Sequence, residues 1–322
     1  MGNENIIQLF APLFQDRDDF QYLLDNKPLL AHYTSVTVLE KILKDDELWL
    51  SNPLFMNDLE EMRFGIHQGV SRFRQLKNQI IQASGSPERF DMVEAAFMEN
   101  FRQFDTTHAL DVYVFCLAQH TPNNDDGLLS MWRAYGGNGN GAALVFNTNF
   151  LTEQKAESPL IIARVHYASA NQRIARLDKI ISDWCDIVSS QFSDRDLCIP
   201  AYILFSAIKV YALSSKHHGF CEEREWRIIY LPDHDPTGLM KKHLHYIVGR
   251  LGVEPKLRFP IRPLDIKSPE KWTFESILDG IILGPSVSNA LARSSIVRML
   301  EVIGKPTFGS KVVSSTIPLR PT

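Results

Sequence analysis

The chain has 322 residues, 44% of them hydrophobic and 22% charged, enough to bury a core and inconsistent with wholesale disorder. Lys and Arg number 34 against 38 Asp and Glu, and the formal charge of -4 excludes a global basic field for nucleic acid or anionic lipid. The four cysteines (Cys116, Cys185, Cys198 and Cys221) form no C-x-x-C pair, which argues against a zinc or redox centre and leaves buried free thiols as the expectation.

At the start of the chain there is no basic segment followed by an apolar one, and Ile6 stands where a myristoylation signal needs Ser or Thr. Residues 29–34 (Leu-Leu-Ala-His-Tyr-Thr) predict a short buried strand. Ser35 then caps a helix with Val36, Leu39, Ile42 and Leu43 on its apolar face. Leu48-Trp49-Leu50 reads as a second strand, and Ser51-Asn52-Pro53 as a turn. From Asp58 the spacing of Leu59, Met62, Ile66, Val70, Phe73 and Ile80 predicts a long helix, with another over 87–103.

Val112 to Leu117 has the composition of a central strand. A short helix over Leu128–Tyr135 leads into Gly136-Gly137-Asn138-Gly139-Asn140-Gly141, and Ala142–Phe146 and 160–167 follow as strands. Ile174, Leu177, Ile181, Trp184 and Val188 mark a helix. Ala201–Leu213 is apolar on most faces and reads as a buried helix, while the stretch Cys198–Ile208 stops at Lys209, too short for a bilayer. Glu225–Tyr230 and Ser276–Leu283 predict strands, and 288–303 a last helix. Strands and helices do not alternate one for one, so the expected class is α+β. The expected organisation is one domain over 1–322, with a helical insertion near 57–105. A less regular segment near 231–272 holds Pro232, Pro236, Pro255, Pro260 and Pro263. A cytoplasmic protein without membrane contact is the expected setting.

Several constellations could carry chemistry. The glycine loop follows a helix and precedes a strand, the reverse of a dinucleotide fingerprint, which leaves a flexible turn or an anion-binding nest. His243 and His245 would share a face if both lie on a strand, but no carboxylate or cysteine stands at ligand spacing nearby, and no metal is expected. Asn57 and Glu60 fit a capping box, a role that competes with a place in a site. In Glu223-Arg224-Glu225-Trp226-Arg227, a strand that includes Glu223 would put Glu223 and Glu225 on one face. Such a like-charged pair suits a cleft; the plain alternative is a sheet edge with Arg227 pairing one carboxylate. His32, at the end of an apolar strand, fits a hydrogen-bonded core histidine as well as a site residue.

Together these segments resemble the family known as the domain of unknown function numbered 2971. The resemblance rests on His32-Tyr33-Thr34-Ser35, Leu48-Trp49-Leu50-Ser51, Phe55-Met56-Asn57-Asp58-Leu59-Glu60 and Met131-Trp132-Arg133-Ala134-Tyr135-Gly136. It continues through Gly141–Phe146, Glu223–Arg227 and Ile282-Leu283-Gly284-Pro285, in order over about residues 29–290. More distantly, an early histidine strand, a following helix and a late strand opened by Glu-x-Glu look like the NAD-dependent ADP-ribosyltransferases. That likeness implies a split, mainly antiparallel sheet with inserted helices. It implies NAD as substrate and Glu225 as the catalytic carboxylate. Glu223 would be its acceptor-side companion, and His32 would lie on the ribose or carboxamide. Tyr33, Thr34, Ser51, Asn57 and Tyr135 would complete the nucleotide site.

The expected function is therefore ADP-ribosyl transfer or NAD cleavage, in a toxin or phage-defence effector, with the acceptor left open among protein, nucleic acid and small molecule. Two other readings stand beside it. One is a Mg-dependent nuclease or hydrolase using Asp58, Glu60, Asp125, Asp126, Glu223 and Glu225. The other is a non-catalytic nucleotide-sensing module.

Overall fold

The computed structural model describes residues 6, 8–14, 19–56, 59–151, 158–192, 196–249, 252–261 and 273–319. In chain order the elements are α1 (Asp19–Asn26), β1 (Leu29–Thr34), α2 (Val36–Asp45), β2 (Glu47–Ser51), α3 (Leu59–Gln75), α4 (Lys77–Ser84), α5 (Pro87–Thr106), β3 (Tyr113–His120), α6 (Leu129–Ala134) and β4 (Ala142–Phe146). Then come β5 (Leu160–Arg164), β6 (His166–Ala168), α7 (Ala170–Gln191), α8 (Cys198–Leu213), β7 (Ser215–His217) and β8 (Glu225–Tyr230). The last are β9 (Leu244–Gly249), β10 (Gly252–Pro260), α9 (Phe274–Ile277), β11 (Leu278–Leu283), α10 (Ala290–Val302) and β12 (Val312–Ser314).

Where the sequence reading expects one domain, contacts divide the chain into two compact units, Met1–Asp18 with Asn52–Val112 and Val165–Cys221, and Asp19–Ser51 with Tyr113–Arg164 and Glu222–Thr322. The first unit is mainly helical and gathers α3, α4, α5, α7 and α8, so residues 165–221 join the helices near 57–105. Its core follows the helical spacing: Met62, Ile66, Val70 and Phe73 of α3 are buried. Phe73 stacks on Phe97 of α5 at 4.0 Å, and Phe97 meets Phe205 of α8 edge-on at 5.6 Å. α8 is apolar nearly all round, which is why it lies inside this unit; Pro200 sits in its first turn, where a missing N–H costs no helical bond.

The second unit carries a ten-stranded sheet in the order β12-β11-β4-β1-β3-β2-β10-β9, with β8 paired to β3 and β5 to β8. Its ladders are antiparallel except β11–β12, giving a mixed α+β architecture with a largely antiparallel open sheet. Strand β3 changes neighbour along one edge. Its end pairs with β1 through Ala118–Ala31, its beginning with β2 through Val114–Ser51, and β8 holds the other edge from Tyr113 to Ala118. Helix α2 starts where Ser35 accepts the Val38 N–H at 3.2 Å and ends at Asp46 in the left-handed region, burying Leu39, Ile42 and Leu43.

Alternation along the strands gives the sheet two distinct faces. One carries Leu30, Phe115, Leu117, Leu144, Trp226, Leu50 and Leu257 in the larger apolar core. The other carries Ala31, Tyr33, Ala118, Ala143 and Val145, covered by Met131 and Trp132 from α6.

The glycine loop is a packed turn. The N–H groups of Gly139, Asn140 and Gly141 donate to the carbonyls of Gly136 and Gly137, so they are taken and build no anion nest. A Cβ on Gly141 would come within 2.2 Å of the Thr34 carbonyl, and one on Gly139 within 2.7 Å of Leu319 and Ser286. All four cysteines are free thiols, but only Cys185 is buried; Cys116 is half-buried and Cys198 and Cys221 are exposed, contrary to the expectation of four buried ones. Among the described residues no helix is long and apolar enough to cross a membrane.

Candidate active site on the second face of the sheet

Strand β8 begins at Glu225, two residues later than a shared strand for both carboxylates requires. Glu223 ends a 3-10 turn, and Arg224 between them has φ +42, a left-handed conformation unusual for a residue with a Cβ. The Arg224 carbonyl still accepts the Gln119 N–H at 2.9 Å, extending the β3–β8 ladder by one bond. Strand alternation therefore does not set the direction of Glu223. Its carboxylate instead accepts the Tyr135 hydroxyl at 3.1 Å, and Tyr135 packs against the Ala31–Tyr33–Trp132 cluster.

Glu225 lies opposite Ala118, and Arg227 opposite Cys116, on this second face. They are 3% and 4% exposed, and Arg227 grips Glu225 with two hydrogen bonds, Nε to Oε1 at 2.8 Å and Nη2 to Oε2 at 3.1 Å. The fork geometry of guanidinium suits a carboxylate and is available because residues i and i+2 of a strand share a face.

Tyr33 of β1 belongs to the same face. Its hydroxyl accepts the Leu128 N–H at 2.9 Å, and its ring meets Trp132 edge-on at 4.8 Å. Burial pushes the Tyr33 phenol up to about 12, against the smaller opposing pulls of the Leu128 N–H and the Arg224 charge. Trp132 is fully buried and donates its indole N–H to the Asp126 carbonyl at 2.8 Å. The Asp126 carboxylate in turn holds the Thr316 hydroxyl at 2.9 Å, tying the loop after β3 to the C-terminal segment.

His32 points the other way. In the register with β4 it lies opposite Leu144, a residue of the larger core, and its ring stacks on Phe115 at 4.2 Å. The expectation that His32 and Glu225 share one cleft is thus not met, because neighbouring side chains along β1 take opposite faces and Tyr33, not His32, has the face of Glu225. His32 instead fills the place where β1 leaves β3, Nδ1–H donating to the Cys116 carbonyl at 2.9 Å. Burial lowers its pKa to about 4, more than the Cys116 hydrogen bond raises it.

Thr34 is buried beside Ala142, on the face of His32. Ser51, at the end of β2, takes the Lys256 ammonium on its hydroxyl at 2.9 Å. Asn57 and Asp58 lie outside the described residues, and with them the capping-box reading. His243 ends a 3-10 turn before β9 while His245 lies on the strand, so the shared face needed for a metal pair is absent.

Four carboxylates of the Mg-dependent reading are separately engaged: Glu60 with Arg63, Asp126 with Thr316, Glu223 with Tyr135 and Glu225 with Arg227. Among the described residues no three His, Cys, Asp or Glu side chains gather around a metal position. The helical unit has a cavity of about 520 Å³ lined by Phe64, His67, Arg173 and His217, but Glu61 already takes the Arg173 guanidinium.

Sequence reasoning missed His120. It is buried on the face of Glu225, where burial lowers its pKa; Asp279 and Asp125 pull the other way and Arg224 adds to the lowering. A histidine closing the 113–120 strand before Asn123-Asn124-Asp125-Asp126 was the available signal.

The fold and this face define an α+β chain with two buried carboxylates, each held by a named donor, on a mainly antiparallel sheet. Residues 131–228, from α6 to β8, match the family described as Protein of unknown function (DUF2971). That segment contains Trp132, Tyr135, Glu223, Glu225 and Arg227. No curated protein and no solved structure matches the chain.

Proposed function

We propose that this chain acts on NAD, breaking the nicotinamide–ribose bond and passing ADP-ribose to an acceptor or to water. The observation that carries the reading is Glu225, a carboxylate 3% exposed on a sheet face, held by Arg227 and neighboured by Glu223 with a tyrosine hydroxyl on it. A buried ion pair gives little net stability over an apolar pair of the same shape, so its presence fits a chemical task.

As the C1′–N bond breaks, its electron pair goes to the pyridinium nitrogen and nicotinamide leaves neutral. Positive charge builds on the ribose, and Glu225 supplies the negative charge facing it. The acceptor's nucleophile bonds to C1′ while Glu223 takes its proton. Tyr135, half-buried and anchored by its hydroxyl, is the aromatic ring suited to carry nicotinamide. The contribution of β1 comes from Tyr33; His32 keeps the role of holding the Cys116 carbonyl. The exchange of β1 for β2 along β3 supports the likeness to the split sheet of the ADP-ribosyltransferases. Loss of cellular NAD through such a reaction would suit a toxin or defence effector.

The test is nicotinamide release from NAD by the full chain, with Glu225→Gln alongside. The expected loss is ~10²–10³ in rate, the typical effect of removing one preorganised electrostatic contact. Wild-type rates in a folded Glu225→Gln protein would remove Glu225 from the chemistry. NAD binding without turnover in the wild type would replace catalysis with sensing.

A further inference from the structure

Strand β9 ends the sheet, pairing with β10 alone among the described strands. Its sequence is Leu244-His245-Tyr246-Ile247-Val248-Gly249, without Lys, Arg, Asp, Glu or Pro. Edge strands are normally protected by such residues, by bulges or by a covering element. Here Leu244, Tyr246 and Val248 are 40%, 70% and 79% exposed, and Val253 of β10 is 64% exposed.

Register shows which side these residues occupy. Leu244 lies opposite Leu257, Tyr246 opposite Pro255 and Val248 opposite Val253. Leu257 is fully buried in the larger core, opposite Leu50. The exposed stripe therefore continues the core face of the sheet to an edge that no other described strand covers.

The prolines of β10 show which backbone groups are presented. Ile261 donates its N–H toward β2, to the Asp46 carbonyl. Alternation back along β10 aims the groups of Phe259, Leu257 and Pro255 toward β2, and those of Lys256 and Glu254 toward β9. Pro255, which has no N–H, thus makes a non-hydrogen-bonded pair with Tyr246. Tyr246 and Val248 consequently turn both backbone groups outward, whereas the Leu244 N–H is taken by the Lys241 carbonyl and only its own carbonyl is presented; all three have exposed apolar side chains.

We infer that β9 is a two-fold dimer edge, pairing antiparallel with β9 of a second copy of this chain and placing Tyr246 opposite Tyr246 on the axis. This register pairs Tyr246 with Tyr246 through both backbone groups and lets the Leu244 carbonyl accept the Val248 N–H on both sides of the axis. It keeps both apolar stripes on one face of a continuous sheet. On the opposite face His245 meets Ile247, so no two ionisable side chains oppose each other. This lack of like-charge opposition is what suits the strand to a copy of itself.

The experiment is sedimentation equilibrium or light scattering of the full chain, with Val248→Lys as an edge-charged variant whose melting temperature reports on folding. The expected result is a wild-type dimer, with dissociation at least about tenfold easier in Val248→Lys and an unchanged melting temperature at equal monomer fraction. Tyr246→Cys should give an oxidised dimer whose disulfide, mapped by mass spectrometry, joins position 246 of two copies, whereas Ile247→Cys should not. A wild-type monomer at micromolar concentration overturns the inference, as does a dimer that Val248→Lys leaves intact.

Discussion

The two faces of the sheet treat polar side chains differently. On the larger core face His32 is held neutral among Phe115 and Leu144, one ring nitrogen spent on a backbone carbonyl. On the other face Glu225 and Arg227 are buried as a full ion pair, with Glu223, Tyr135, Tyr33 and His120 around the same strand ends. The first face suppresses charge and the second concentrates it. A residue's number along β1 is therefore a stronger guide to its role than its chemical type, since adjacent His32 and Tyr33 fall on opposite sides.

This contrast is sharpest at Arg227. Arg227→Met would leave Glu225 buried without its cation and should cost about 3–5 kcal/mol in urea or thermal unfolding. Glu225→Leu with Arg227→Met should recover most of that loss; additive losses from the two single changes would show that the pair does not act as a unit. Glu225→Gln should also destabilise, because the guanidinium then faces a neutral amide.

The charge-suppressing face makes a prediction about pH. Burial leaves the folded pKa of His32 near 4, below the usual 6.5, and the buried His120 on the opposite face is lowered too. The unfolded chain then binds more protons between these values, so the contribution of these residues is complete above about pH 6.5 and falls as pH drops toward 4. His32→Gln should flatten the decline measured by unfolding between pH 7 and 4.5. An unaltered slope would mean the ring is not kept neutral there.

The smallest expected effect is at Tyr135. Tyr135→Phe removes one hydrogen bond to Glu223, costing about 1 kcal/mol at this half-buried position. Under the NAD reading it should shift products from acceptor labelling toward plain hydrolysis more than it slows nicotinamide release. An equal loss of both products would place Tyr135 with Glu225 instead.

Much of this was legible from local pattern. The strands at 29–34, 142–146 and 225–230 and the Ser35-capped helix follow from periodicity and a capping oxygen, and they occupy those places. What local pattern cannot supply is register, and register decided that His32 and Glu225 part company. Nor could it show the left-handed Arg224 that takes Glu223 off the strand. The segment 231–272 looked irregular because of its prolines, yet it contains β9 and β10. Pro255 lies beyond the last pair with β2, and Pro260 beyond the last pair with β9, so neither ladder needs the missing N–H. Proline forbids a strand only where a neighbour asks for its proton.

The bond from Asp126 to Thr316 spans 190 positions, and this has a consequence for how the chain is made. During synthesis β1, β3 and β4 emerge early, but β4 must await β11, and the loop beneath Trp132 must await Thr316. Most of the helical unit's segments are translated in between. The sheet unit, built on such distant contacts, should close only once residues up to Thr316 have emerged, with the helical unit able to form first. Nascent chains stalled before residue 312 should accordingly show protease-resistant helical fragments and an open, cleavable loop at 121–128.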